Sequence, residues 1–405
     1  MFIHSFIIYK ESIAEKSRLC NCLSKNKKLG YCLHLLCESA KIAYALKKPL
    51  QRKEQGILDY KKLFDQYLLL VNRLIPKPAA PPVIGIDIGT SSIKAVELGF
   101  VAGGVEIRHW AIEPVAGNDT KSALKKIGER LRFNNQLLVS AVFGRGALIR
   151  YVDLPRMPLE DLRKSYIFDL DKYFPFDSKS IYTDCSILDP ESKDKKMSVL
   201  LAAVKKEMVD ERLKLFKETG LELNRVTINS IAIANAFNRL GPQVTASGKA
   251  KAVLNIGGSA SCLMIFKDSS PRFTRDIFVG SQELTKKIAN ALGVDEKQAE
   301  AIKCQPGEKL AQVIEACDMP INNLITEIRL SMDYYMTEKN IQVDELFLGG
   351  GGSLLKGMAD IFGKNLELPV KIWNPLGRVR LNAPAASGDI QTYAAQFDVA
   401  LGLGL

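Results

Sequence analysis

Val83–Gly99, VIGIDIGTSSIKAVELG, is the stretch that decides how the rest of the chain is read. Val83, Ile84, Ile86 and Ile88 form an apolar run broken by Gly85, Asp87 and Gly89, which predicts a buried strand running into a tight turn. Ile93, Ala95, Val96 and Leu98 resume the apolar pattern after only Thr90-Ser91-Ser92. Two strands joined through Gly-Thr-Ser-Ser make a hairpin with a small, donor-rich tip. Such a tip suits a phosphate, because glycine lets the backbone come close while N–H groups and hydroxyls point inward. Asp87, at the strand end, suits magnesium, which keeps most of its waters and needs few protein carboxylates. Lys94 adds a point charge for a phosphate. A D-x-G-T turn is also an ordinary surface hairpin, so this stretch alone leaves both readings open.

The 405 residues leave room for two or more domains and a sizeable core. At 47% hydrophobic and 25% charged, the composition is that of a globular protein. The formal charge of +11 raises the question of nucleic acid, and its location answers it. Residues 1–82 hold 15 of the 56 Lys and Arg and 6 of the 45 Asp and Glu, so they carry +9 and the remainder +2. A near-neutral body does not predict a basic nucleic-acid groove. Cys185, Cys262, Cys304 and Cys317 are scattered without metal spacing, which predicts a reduced protein with incidental thiols. Cys20, Cys22, Cys32 and Cys37, near His34, are denser, but C-x-C followed by C-x4-C is not a familiar zinc spacing. No apolar run approaches the ~20 residues of a membrane span. Met1–Tyr9 is apolar but too short, and without a basic leader it does not read as a signal peptide.

In chain order, residues 1–75 read as a basic, mostly helical extension. Tyr60–Ile75 has helical apolar spacing that suits either an anionic membrane surface or docking on the body, but a poorly ordered, solvated extension is the favoured reading. The proline-rich segment 76–82 reads as a stiff linker. Strands are predicted at Val105–Ile112 and Leu137–Phe143, around a charged helix at Thr120–Arg132. This β-β-β-α-β order starts a mixed sheet in residues 83–150. A compact α+β insert follows at 151–224, and residues 225–405 form a second half. Ser230–Leu240 and Thr392–Leu401 read as alanine-rich buried helices. Lys251–Phe266 repeats the opening hairpin, with Gly257-Gly258-Ser259-Ala260-Ser261 at its tip. Two such units about 170 residues apart imply an internal duplication that clamps a nucleotide between its halves. Glu345–Leu348 then runs into Gly349-Gly350-Gly351-Gly352-Ser353, and a helix predicted at Leu354–Asn365 brings its N-terminal N–H groups near that turn.

The three glycine-rich turns, in this order, resemble the duplicated actin-like (ribonuclease H-like) ATPase fold. There the two hairpins are phosphate loops, the late glycine run is the adenosine motif, and the alanine-rich helices are the connecting helices. Within that fold, residues 78–405 are similar to the PilM family of type IV pilus assembly proteins, relatives of FtsA. The pieces carrying the resemblance are VIGIDIGTSSIKAVEL, YVDLPRMPLEDLRKSYIFDLDKYFPFD at 151–177, RDIFVGSQELTKKIANALGV at 275–294 and LFLGGGGSLLKGM at 346–358. The insert at 151–224 has the position and size of the 1C subdomain of that family.

The resemblance implies ATP and Mg2+ as ligands. It places Asp87, Gly89, Thr90, Ser91 and Lys94 at the β/γ phosphates, with Asp87 on the metal side through water. Gly257, Gly258, Ser259 and Ser261, after Asn255, form the second loop. Glu283 and Lys287 face the adenosine, and Gly350, Gly351 and Ser353 cradle the α-phosphate and sugar. It also implies a partner, the cytoplasmic tail of a PilN-like inner-membrane protein docked on the face of subdomains 1A and 1C. Tyr173, Phe174 and Phe176 are candidate groove residues, though core packing of the insert explains them equally. Other platform proteins and self-association into a ring are further implied contacts, with the protein peripheral at the cytoplasmic side.

Two departures bear on chemistry. Asn255 stands where the second phosphate loop of the family begins with Asp, and an amide supplies no carboxylate to a magnesium shell. Residues 143–148, FGRGAL, lack the acid that positions the attacking water in filament-forming relatives. Nucleotide binding with slow or absent turnover is the expectation. A small-molecule kinase of the sugar- or acetate-kinase branch is the alternative, but no second acid converges with Asp87 in the sequence to act as its base. An FtsA-type division protein would carry an amphipathic membrane helix after the last connecting helix. The sequence runs only to Leu405, so recruitment through a partner is expected, with the basic N-terminus as the alternative.

Overall fold

The computed structural model describes residues 82–405, apart from 102–103, 116, 118, 134–135, 243–249 and 383–388. The N-terminal extension, nearly all of the proline-rich linker and the Cys20–Cys37 group lie outside the described residues.

The opening hairpin forms as predicted. β1 (Val83–Ile88) pairs antiparallel with β2 (Ser92–Val101), which pairs with β3 (Gly104–Pro114). Helix α1 (Thr120–Leu131) is capped by the Asp119 carboxylate on the Ser122 N–H and buries Ala123, Leu124, Ile127 and Leu131. β4 (Leu137–Val142) then lies parallel to β1. β5 (Ala147–Pro155) enters the insert, followed by α2 (Leu159–Ser165), a 3-10 turn at Tyr166–Asp169 and α3 (Leu170–Tyr173). β6 (Ile181–Ile187) and β7 (Lys196–Lys205) complete a separate three-stranded sheet in the order β5-β7-β6. Helix α4 (Lys206–Glu218) follows. It buries Val209 and Phe216 in the core of the first half rather than in that of the insert.

β8 (Arg225–Ile228) closes the first sheet, and α5 (Asn229–Leu240) leaves it almost wholly buried. The second half then repeats the first. β9 (Ala250–Ile256), β10 (Ser261–Lys267) and β11 (Ser270–Ile277) form an antiparallel meander. α6 (Ser281–Leu292), α7 (Glu296–Cys304) and the 30-residue α8 (Leu310–Lys339), which runs through Pro320, lead to β12 (Val343–Gly349), parallel to β9. α9 (Met358–Leu366), β13 (Val370–Ile372) and β14 (Val379–Leu381) follow, and α10 (Asp398–Gly404) ends the described chain. The sheets run β14-β3-β2-β1-β4-β8 and β11-β10-β9-β12-β13. The order β3-β2-β1-β4-β8 in one is matched strand for strand in the other, so the duplication is one of topology.

Helices α5 and α10 join the halves. Their small side chains let α5 and α10 cross almost backbone to backbone: a Cβ on Gly402 would collide with the Ala232 carbonyl. At the other end of α5, the Phe237 ring meets Phe266, Phe347 and Trp373 at centroid separations of 4.8, 5.6 and 5.2 Å, linking it to the second sheet.

Two local expectations change. Residues Ile390–Gln396 form a 3-10 turn, and the last α-helix begins only at Asp398, not Thr392. The glycine run passes through a 3-10 turn at Gly351–Leu354, and α9 starts at Met358 after Gly357 at φ 87°. The N-terminus of α9 therefore does not lie at the glycine run, since the positive-φ Gly357 turns the chain before the helix begins.

Candidate functional site

The hairpins place their tips against each other. In the first, the turn is closed by Gly89 N–H donating to Ser92 O at 3.2 Å, and Thr90 and Ser91 stand exposed. Asp87 and Lys94 are register partners across the hairpin, and Lys94 Nζ lies 3.4 Å from Asp87 Oδ2 with both side chains largely buried. In the second, Gly257 N–H donates to Ala260 O at 3.0 Å, leaving Ser259 exposed. A side chain on Gly258 would collide with Thr90 Oγ1 and Ser91 Oγ, so only glycine permits this approach. Gln282 Nε2 reaches Ser91 Oγ at 3.5 Å from α6.

Helix α6 is tied to the second tip by its own orphan donors. Ser281 N–H donates to Gly257 O and Gln282 N–H to Gly258 O, both at 2.9 Å. Glu283 and Lys287, one turn apart, are partly exposed. Below them Lys303 is buried, and its Nζ donates to Ser281 O, Thr285 Oγ1 and Glu300 Oε2 at 3.3, 2.8 and 2.6 Å. The glycine run is held by Gly350 N–H donating to Ala395 O at 2.6 Å, and Gly350 takes φ 78°. Gly351 is exposed.

Not every predicted hydroxyl faces the cleft. Ser261 Oγ donates to Val279 O and Ser353 Oγ to Gly350 O, both at 2.7 Å and both on buried residues. Buried hydroxyls take the nearest carbonyl, and these two fix the loops they belong to.

Asn255 is buried and donates from Nδ2 to Asp398 Oδ2 at 2.6 Å. The other Asp398 oxygen accepts from Val399 N at 2.8 Å. Burial pushes the Asp398 carboxyl up to about 6, against those two hydrogen bonds, and Asp87 raises it while Lys94 lowers it. Asp398 is thus a second carboxylate within electrostatic reach of Asp87, which sequence reasoning missed. Its partner lies 143 residues away, and a helix predicted from Thr392 put it mid-helix rather than at a helix start. Arg212, on α4, was also missed. Its Nη1 is buried without a hydrogen-bond partner among the described residues, and burial pulls the guanidinium down to about 10 against the pull of Asp87. No three His, Cys, Asp or Glu side chains gather as a metal site among the described residues. A hydrated magnesium ion needs fewer, and the Asp87 carboxylate beside the exposed Thr90 and Ser91 hydroxyls supplies oxygen acceptors that fit its waters.

The insert's aromatic trio is mostly core. Phe174 is 2% exposed, and Tyr173 and Phe176 pack partly buried against the same cluster. Ile167 and Phe168 are the insert's exposed apolar side chains, at 52% and 85%. A cavity of about 270 Å³ opens where the start of β5 meets β11 and is lined by Arg145, Leu148, Arg150, Arg275, Asp276 and Phe278, among others. Both are edge strands, and Tyr151 and Thr274 share a 2.7 Å hydrogen bond between them. Arg145 lies over the Phe278 ring at 4.9 Å. Burial raises the Asp276 carboxyl to about 6, with the Cys262 thiol opposing.

Solved structures resemble the fold to different degrees. The structure of a PilM–PilN type IV pilus biogenesis complex is similar at TM-score 0.70 and 22% identity, over 81% of this chain and 98% of that one. Ethanolamine utilization protein EutJ of Carboxydothermus hydrogenoformans aligns less closely, at TM-score 0.49 and 14% identity, over 85% and 98% of the two chains. MreB5 of Spiroplasma citri bound to AMPPNP follows at TM-score 0.45 and 13% identity, over 81% and 95%. The fold is the doubled actin-like one that the three glycine-rich turns predict. The family described as type IV pilus assembly protein PilM matches residues 85–405, and the chain belongs to that family.

Proposed function

We propose that this protein is an adaptor of the type IV pilus assembly platform that holds ATP between its halves and receives the cytoplasmic tail of a PilN-like membrane protein. The contact of the Gly258 tip with Thr90 and Ser91 carries the nucleotide part, because two donor-rich turns from duplicated halves face one cleft. Asp87, Gly89, Thr90, Ser91 and Lys94 bind the terminal phosphates from one side, and Gly257, Gly258 and Ser259 from the other. Gly350 and Gly351 lie under the α-phosphate and sugar, with Glu283 and Lys287 beside the adenosine. Ser261 and Ser353 support these loops from beneath. Bound magnesium would neutralise phosphate charge, with Asp87 holding its waters. With an amide at 255 and no acid in residues 143–148, ATP serves as a structural ligand that stabilises the joined halves by mass action.

The partner tail lies along the cavity between β5 and β11. Two free strand edges suit an extended peptide, and Phe278, 51% exposed, offers it an apolar anchor. Among the described residues no helix is long and apolar enough to cross a membrane, so the reading makes membrane contact indirect, through this partner at the inner face. Fluorescence anisotropy of a labelled tail peptide against the full chain with ATP tests it. Phe278→Asp should weaken peptide binding ten-fold or more and leave ATP binding unchanged. Equal peptide affinity in the variant would remove this groove from the account.

A further inference from the structure

Asn255 and Asp398 form a matched pair whose polarity is fixed by chemistry. An ionised carboxylate only accepts hydrogen bonds, so the 2.6 Å contact with Asp398 Oδ2 requires the Asn255 NH2 on that side. The amide carbonyl must then face the opposite way. Asn255 Oδ1 indeed lies on the side of the second phosphate loop, 3.9 Å from where a Cβ of Gly257 would stand. None of the described residues donates to it. Asp398 cannot turn away to release the amide, because its other oxygen is held by Val399 N and its residue is 1% exposed.

We propose that Asp398 is a positioning residue for the nucleotide cleft: it locks the Asn255 side chain with its carbonyl oxygen turned to the phosphates, as a neutral acceptor. This rests on the nucleotide reading above. The waters of a magnesium ion are hydrogen-bond donors, and Oδ1 is where one of them finds an acceptor that carries no charge. The pair also explains why position 255 is an amide in this chain. Two carboxylates 2.6 Å apart cannot both ionise, so an Asp at 255 facing Asp398 would have to share a proton with it. The acid has in effect moved from the loop strand to the connecting helix, and the cleft keeps Asp87 as its other carboxylate.

The test is titration calorimetry of the full chain with ATP, once with magnesium and once with EDTA. The variants are Asp398→Asn and the swap Asn255→Asp/Asp398→Asn, each checked for folding by circular dichroism. In Asp398→Asn the amide at 255 is free to flip, so affinity for ATP with magnesium should fall about ten-fold while affinity in EDTA changes less than two-fold. The swap restores an amide–carboxylate pair with the carboxylate on the loop. It should recover the affinity in magnesium and widen the gap between the two buffers. If Asp398→Asn does not fold, the swap alone decides, by binding magnesium–ATP at least as tightly as the wild type. Unchanged magnesium–ATP affinity in folded Asp398→Asn, or a folded swap that recovers nothing, overturns the assignment and leaves the nucleotide reading standing. A wild-type chain that binds no nucleotide in either buffer overturns the nucleotide reading and this inference with it.

Discussion

Gly258 and Asp398 show what single residues decide. Gly258 lets two hairpin tips touch, and a branched side chain there must push Thr90 and Ser91 aside. Gly258→Val should lower ATP affinity ten-fold or more with little change in the unfolding midpoint, since the tip is at the surface. A midpoint drop with intact affinity would contradict that. The raised carboxyls set a pH dependence. Asp398 and Asp276 go from an ordinary value of 3.8 to about 6, so the folded chain binds their protons more tightly than the unfolded one. Their stabilising contribution is complete below about pH 4 and is lost as pH rises through 6, by on the order of 2–3 kcal/mol for a fully buried group. Urea midpoints measured from pH 4 to 7 should show this fall, and Asp398→Asn should reduce it while leaving the share of Asp276. A variant with the wild-type slope would show that Asp398 is not the group responsible.

At the scale of elements, the connecting helices hold the halves together. A Cβ at Gly402 meets the Ala232 carbonyl, which is backbone and cannot swing away. Gly402→Val should therefore separate α5 from α10 and cost at least about 2 kcal/mol, read from urea unfolding. A loss within about 0.5 kcal/mol would mean that the crossing tolerates displacement. The same elements mark what the sequence could reveal. Both hairpins were legible because their turn chemistry is local: a few glycines and hydroxyls between alternating apolar runs. The start of the last helix was not, because Thr392–Gln396 is alanine-rich and reads as α-helix, while the chain there forms a 3-10 turn whose Ala395 carbonyl caps Gly350. Likewise α4 reads as part of the insert, yet Val209 and Phe216 pack in the first half's core, which only the tertiary arrangement reveals.

For the molecule as a whole, the doubled strand order brings the two hairpin tips together, and on the proposed reading a nucleotide between them holds the halves joined. Of the candidate site, the two hairpin loops and the positions of Asp87 and Lys94 were legible, but not the contact between those two side chains. Asp398 and Arg212 were not, because each reaches the cleft from an element distant in sequence with no motif around it. A ligand that binds the joined halves stabilises them by about 2.7 kcal/mol at a hundred times its dissociation constant. The most direct measurement is titration calorimetry of the full chain with ATP and magnesium, then with the tail peptide of a PilN-like protein, while released phosphate is followed for hours. The account predicts that both bind and that phosphate stays near background. Rapid phosphate transfer to a sugar or carboxylate with no peptide binding would contradict it, and would make the chain an enzyme of the same fold.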